Sequence, residues 1–267
     1  MKKEAKKKMD LHTYLKKHPR LAIAFSGGVD SVYLLYSAIQ AGCDVHAYFI
    51  KSDFQPEFEM EDAKRMIAQL GAPFTIEQVS ILETENVRRN PENRCYFCKQ
   101  GIFSRIKELA KADGYEEIAD GTNASDDYDD RPGMKALQEM GVISPLRECG
   151  ITKAEIRRLS KEAGLFTWDK PAYACLATRV PTNTEITKEL LKKVEQAEKE
   201  LFDMGFHNFR VRILKKGAKL QLMESEFMQA IEKREVILSE LKKYFDFVVL
   251  DFEPRPEEAM PSADKNA

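Results

Sequence analysis

Residues 21–31 read LAIAFSGGVDS, and the reading of the whole chain grows from them. Leu21 to Phe25 is a short apolar run that stops at a glycine pair, the pattern of a strand buried on both faces. From Val29 to Ala41 the apolar residues Val32, Leu35 and Ile39 recur at helical spacing, and Gly42 supplies a stop. A strand, a glycine turn and a helix in immediate succession set backbone N–H groups at a helix N-terminus, facing an anion. Gly27, Gly28 and Val29 bring the backbone close, while Ser26 and Ser31 add hydroxyl donors. The lysine of GxxxxGK[ST] is missing, which argues against a P-loop kinase or GTPase. The dinucleotide fingerprint GxGxxG is missing too.

Outward from this turn, strand and helix patterns alternate. Strands are predicted at 45–50, 74–79, 116–119 and 143–146. Helices are predicted at 57–70, closed by Gly71, at 96–112 and at 152–163, the last opened by Thr152 with Glu155 three residues on. Strands separated by helices imply parallel pairing and right-handed crossovers, hence a doubly wound α/β sheet. A polar stretch, DGTNASDDYDDRPG, fills 120–133. The alternation ends at 165–184, where Pro171, Pro181, Trp168 and Cys175 lie without a period, and a functional linking loop is expected. Beyond it a smaller α+β unit is predicted: helix 186–204, strands 209–214 and 219–223 joined as a hairpin through Gly217, helix 226–244 and strand 247–252. The expected division is a basic N-terminal segment (1–19), an α/β domain (20–166), a linker loop (167–184), a small α+β domain (185–252) and a disordered tail (253–267).

Composition limits the function classes. The 267 residues carry 42 Lys+Arg against 44 Asp+Glu, a net charge of −2, which argues against an unselective nucleic-acid binder. No apolar run is long enough to span a membrane, and the basic start MKKEAKKKMD leads into no apolar signal core, so it is read as a solvated tail. Five cysteines, an odd number, argue against a disulfide scaffold and for a reducing compartment, so a cytoplasmic location is expected.

Cys95 and Cys98 form a CxxC at the start of a helix. By itself this pair suits a redox disulfide, half a zinc site or two cluster ligands. No second CxxC completes a four-cysteine zinc site, and His12, His18, His46 and His207 are scattered. Cys175 stands far along the chain in AYACLATR; Cys43 and Cys149 read as small packed hydrophobes. In the second unit Arg210 and Arg212 alternate along one strand and share a face, a pair suited to a phosphate or carboxylate. Glu198, on the preceding helix, is expected to orient one of them.

SGGVDS resembles the loop of the ATP-pyrophosphatase (PP-loop) superfamily, whose members split ATP into AMP and pyrophosphate while adenylating a substrate. That resemblance implies an adenine nucleotide alpha hydrolase-like sheet. It also implies that Ser26, Gly27, Gly28, Val29, Asp30 and Ser31 hold pyrophosphate, with Mg²⁺ positioned by Asp30. Ser52, Gly121, Thr122 and Asn123, at strand ends, are assigned to ATP on the rule that open α/β sheets bind ligands there. Further segments, RCYFCK, ADGTNASDDYDDRPGMKA, PLRECGITKAEIR, PAYACLATRVP with TEIT, and FRVRIL, resemble the LarE family over about residues 20 to 252. LarE enzymes are ATP-dependent sulfur transferases of nickel-pincer nucleotide biosynthesis. The resemblance implies a small-molecule substrate, pyridinium-3,5-biscarboxylic acid mononucleotide, whose carboxylates are adenylated and exchange oxygen for sulfur. Two sulfur sources occur in the family: sacrifice of one cysteine, matched by Cys175, or sulfide delivered through a [4Fe–4S] cluster on three cysteines. Cys95, Cys98 and Cys175 match the cluster type. A homo-oligomer and a sulfide or sulfur-donor partner are further expectations. The rival readings are a tRNA thiolase, a glutamine-dependent synthetase and a non-catalytic nucleotide-binding partner.

Overall fold

The computed structural model describes residues 9–126 and 132–255. Strand β1 (Arg20–Ala24) buries Leu21, Ala22 and Ile23 completely, which the uninterrupted apolar run requires of a strand flanked on both sides. It pairs in parallel with β2 (Asp44–Ser52) and with β4 (Ile118–Ala119), and β2 pairs in parallel with β3 (Phe74–Val79). The order β3-β2-β1-β4 places β1 inside the sheet, a parallel α/β layer as the alternating strands and helices predict.

The chain enters through α1 (Leu11–Lys16) and leaves β1 into α2 (Val29–Gln40). Helix α3 (Glu57–Leu70) closes at Gly71, whose φ of 67° is a left-handed cap that glycine adopts without strain. The short α4 (Glu85–Arg88) precedes α5 (Arg94–Ala112), the helix that carries the CxxC. Then come α6 (Pro132–Glu139), α7 (Pro145–Glu148) and α8 (Lys153–Glu162), the last capped by Thr152, whose hydroxyl accepts from Glu155 N at 3.3 Å. Helix α9 (Lys188–Asp203) leads to a second sheet, β5 (Arg210–Leu214), β6 (Gly217–Gln221) and β7 (Val248–Leu250). There β5 and β6 form the antiparallel hairpin, and β7 joins β6 in parallel after α10 (Phe227–Glu232) and α11 (Arg234–Leu241). The core around this sheet also takes in Phe54, Ile81, Leu82 and Val87 from the first half of the chain.

Several expectations are corrected. Residues 143–146 are not a strand: only Ile143 bridges Ala119, because Pro145 opens α7 at the next turn. The basic start 1–10 is not solvated to its end: Asp10 caps α1, accepting from Thr13 N at 2.9 Å. The helix expected at 226–244 is broken at Lys233, whose Nζ donates to the Met204 carbonyl at 2.6 Å. Of the expected tail, Arg255 is tied down, its N donating to Leu222 O at 2.8 Å; residues 256–267, like 1–8, lie outside the described residues. So do residues 127–131 of the polar stretch.

Candidate active site

The turn after β1 is held by its own serines. Ser31 Oγ accepts from Ser26 N and donates to Gly28 O, both at 3.2 Å, and Ser26 Oγ accepts from Gly28 N at 3.4 Å. The Ser31 hydroxyl therefore faces inward and fastens the turn. Gly28 precedes α2 as its cap residue and has no side chain to bond, which leaves first-turn N–H groups for a ligand. Gly27 has a φ of 72°, and a Cβ there would stand 3.1 Å from Ala63 Cβ on α3. Its glycine is thus required by the neighbouring helix as well as by the turn.

Asp30 lies in the first turn of α2. Lys153, from the first turn of α8, donates to its Oδ2 at 2.6 Å, while Oδ1 is buried with no hydrogen-bond partner. Burial raises the Asp30 pKa against the pull of Lys153. An orphaned, buried carboxylate oxygen beside an anion-binding turn is a fitting ligand for Mg²⁺.

Gly121 backs directly onto this turn. A Cβ on Gly121 would come within 2.8 Å of Ser31 N, so no side chain fits. Gly121→Ala is expected to lower Tm and to weaken ATP about tenfold or more, because backbone on both sides must move. Wild-type ATP affinity in that variant, by calorimetry, would show that the close approach does not shape the nucleotide site. Beside it, buried Asp120 accepts from Ser144 Oγ at 2.7 Å and from Thr122 N at 3.2 Å, and it also takes the Thr122 hydroxyl. Ser52 at the end of β2 donates to Gln55 Oε1 at 2.6 Å.

One cavity of about 390 Å³ brings the two halves of the site together. Ser26, Asp30 and Ser31 border it, with Ser52, Gly121 and Thr122 from the strand ends, and so do Cys95, Cys98 and Cys175. Gly27, Gly28, Val29 and Asn123 are not among its lining residues; Asn123 is buried and caps a turn, its Oδ1 accepting from Ser125 N at 2.8 Å. Burial, aided by the neighbouring Cys175 and Cys95, pushes the Cys98 thiol up to about 12. Burial also raises Cys175, against the pull of Arg94. Thiols so placed remain protonated until a cation or a metal group compensates their charge. Among the described residues, no three His, Cys, Asp or Glu side chains are gathered closely enough to hold a metal ion. In chemistry, however, three soft sulfur donors on one cavity wall suit an iron–sulfur group. The other two cysteines stand elsewhere: Cys43 donates to Leu15 O at 3.4 Å, and Cys149 is buried.

The expected substrate face of the second unit lies outside that cavity. Arg210 and Arg212 do share a side of β5, but that side is closed by the 165–184 loop. Arg210 donates to Ala172 O at 2.8 Å and Arg212 to Thr178 O at 2.7 Å, and neither borders the cavity. Glu198 orients neither of them. Its carboxylate takes Arg179 at 2.8 and 2.9 Å, the Tyr173 hydroxyl and Val211 N at 2.9 Å, all in a buried cluster. Sequence reading missed Lys153, Arg94, Asn90, Asp120 and Arg179. Arg94 at least adjoined the CxxC; Lys153 carried no signal, standing 123 residues from the carboxylate it meets.

Comparison with known proteins agrees with this geometry. The family described as "Thiamine biosynthesis protein (ThiI)" matches residues 19–202, the span that contains the sheet, the turn and all five cysteines. The chain belongs to the ThiI family. It is similar to an uncharacterized protein of Synechocystis sp., 38% identical over 241 residues, 88% of this chain and 89% of the relative. It is also 32% identical over 250 residues to the "Pyridinium-3,5-bisthiocarboxylic acid mononucleotide synthase" of Lactiplantibacillus plantarum, covering 92% of this chain and 91% of that protein. A more distant relative, the "Probable tRNA sulfurtransferase" of Methanobrevibacter smithii, is 28% identical over 70% of this chain and 53% of its own length. The chain is thus a sulfur-transferring, ATP-using enzyme of the ThiI and PP-loop family. Among the described residues no helix is long and apolar enough to cross a membrane.

Proposed function

We propose that this enzyme adenylates the carboxylates of pyridinium-3,5-biscarboxylic acid mononucleotide and replaces carboxylate oxygen with sulfur, yielding the thiocarboxylic acid mononucleotide. The observation that carries this reading is the single cavity bordered by both the nucleotide turn and the three thiols. Adenylation and sulfur delivery can then act on one carboxylate without its release. The similarity to the Lactiplantibacillus synthase, over nine-tenths of both chains, supplies the substrate.

A carboxylate oxygen attacks the α-phosphorus of ATP and pyrophosphate leaves. The N–H groups at the start of α2, which no side chain caps, would hold that leaving group, and Asp30 Oδ1 would hold the Mg²⁺ that neutralises it. The acyl adenylate is activated toward sulfur because AMP is a good leaving group; attack at the carbonyl carbon forms the C–S bond and breaks the C–O bond to AMP. Cys95, Cys98 and Cys175 would hold a [4Fe–4S] cluster, which when bound supplies an iron without a protein ligand where sulfide can be carried. The apolar walls contributed by Phe49, Ile50, Phe54 and Phe103 limit water, which would otherwise hydrolyse the adenylate.

The test supplies anaerobically purified protein with ATP, Mg²⁺, sulfide and the biscarboxylate mononucleotide. AMP and pyrophosphate should appear only with the organic substrate, and mass spectrometry should find product heavier by the sulfur-for-oxygen difference. Equal AMP formation without that substrate, or with a tRNA instead, would overturn the assignment.

A further inference from the structure

The Cys175 segment has almost no regular structure, only the short turns Phe166–Asp169 and Leu176–Arg179, yet its backbone is gripped from three sides. From α5, Arg94 donates to Ala177 O at 3.1 Å and to Asn90 Oδ1 at 2.6 Å, with its other terminal nitrogen 3.8 Å from Cys95 Sγ. Asn90 is buried in a left-handed conformation with φ 56°, and its amide donates to Pro181 O at 2.8 Å and to Val180 O at 3.3 Å. From β5, Arg210 and Arg212 take Ala172 O and Thr178 O. From within the turn, Arg179 takes Ala174 O at 2.6 Å and is neutralised by Glu198.

From this we infer that Arg94, with Asn90, and Arg212 are positioning residues that fix the Cys175 turn against the CxxC helix, so that the third thiol is presented to the cavity in the resting protein. The inference rests on the three-thiol reading above. Guanidinium suits the task because it makes several directed hydrogen bonds and keeps its charge when buried. Asn is among the few non-glycine residues that readily adopt the left-handed conformation, and here five hydrogen bonds converge on it.

Anaerobic reconstitution with iron and sulfide tests the arrangement without substrate, read as iron and acid-labile sulfide bound per chain. The wild-type chain should take up about four irons, one cluster's worth. Cys175→Ser should lose most of this uptake. Arg94→Ala and Arg212→Ala should show a loss of the same kind, while Arg212→Lys, which still reaches one carbonyl, should recover part of it. If Arg94→Ala does not fold, as judged by circular dichroism and Tm, Asn90→Asp, which removes the donors to Val180 and Pro181, takes its place in the comparison. Wild-type iron content in folded Arg94→Ala and Arg212→Ala overturns the positioning role, and a raised KM for the organic substrate with intact iron content would assign Arg212 to substrate. Wild-type protein that takes up no more iron than Cys175→Ser would instead overturn the three-thiol reading.

Discussion

Asp30→Ala is expected to reduce substrate-dependent pyrophosphate release by roughly 10²–10³-fold while leaving the fold intact, the scale seen when one preorganised electrostatic contact to a developing charge is removed. Two consequences of the geometry add together. The variant loses the buried oxygen that would take Mg²⁺, and it strands the Lys153 ammonium that had been paired at 2.6 Å. Asp30→Asn keeps the shape and separates charge from packing, and it should be almost as impaired. Ser31→Ala tests the turn itself: it removes the contacts to Ser26 N and Gly28 O that hold the first-turn amides in line, and pyrophosphate release should again collapse. Release within about twofold of wild type in all three variants would mean that ATP is bound elsewhere.

Cys95→Ala, Cys98→Ala and Cys175→Ala should each abolish multiple turnover and the broad visible absorbance of the anaerobically reconstituted protein, whereas Cys43→Ala and Cys149→Ala should retain both. The distinction follows from location: three thiols border the cavity, and the other two do not. With only five cysteines in the chain, every single variant can be made and compared. Mass spectrometry after turnover with sulfide separates the two possible sulfur sources. Intact Cys175 with more than one product per chain supports delivery from bound sulfide. Loss of one H₂S from Cys175, with product capped at the protein concentration, would mean that the cysteine itself is consumed.

How much of this was legible in the sequence depends on the range of the interactions. The β1 strand, the glycine turn and α2 could be read because period and turn chemistry are local, and Thr152 capping α8 was readable for the same reason. Ile143 was over-read: its apolar neighbours suit a strand, but the ring of Pro145 turns the chain into a helix after a single bridge. Pairings between distant residues left no local trace. Lys153 with Asp30 and Arg212 with Thr178 are set by how elements pack, and a backbone carbonyl as partner is invisible in any pattern of side chains. Glu198 shows the same limit. Its place on the helix before β5 was sound, but Arg179 rather than Arg210 or Arg212 reaches it.

Because the guanidiniums hold carbonyl oxygens, the grip on the Cys175 turn is indifferent to which side chains the turn displays. Ala172 and Ala174 are exposed, and their carbonyls accept from Arg210 and Arg179. Saturation mutagenesis should therefore find those two positions permissive beside a cysteine that admits nothing else, with the intolerance displaced to Arg179, five residues from Ala174, and to Arg210, 38 residues from Ala172. Diversity introduced at 172 and 174 would therefore change the surface beside Cys175 without loosening the arm that carries it.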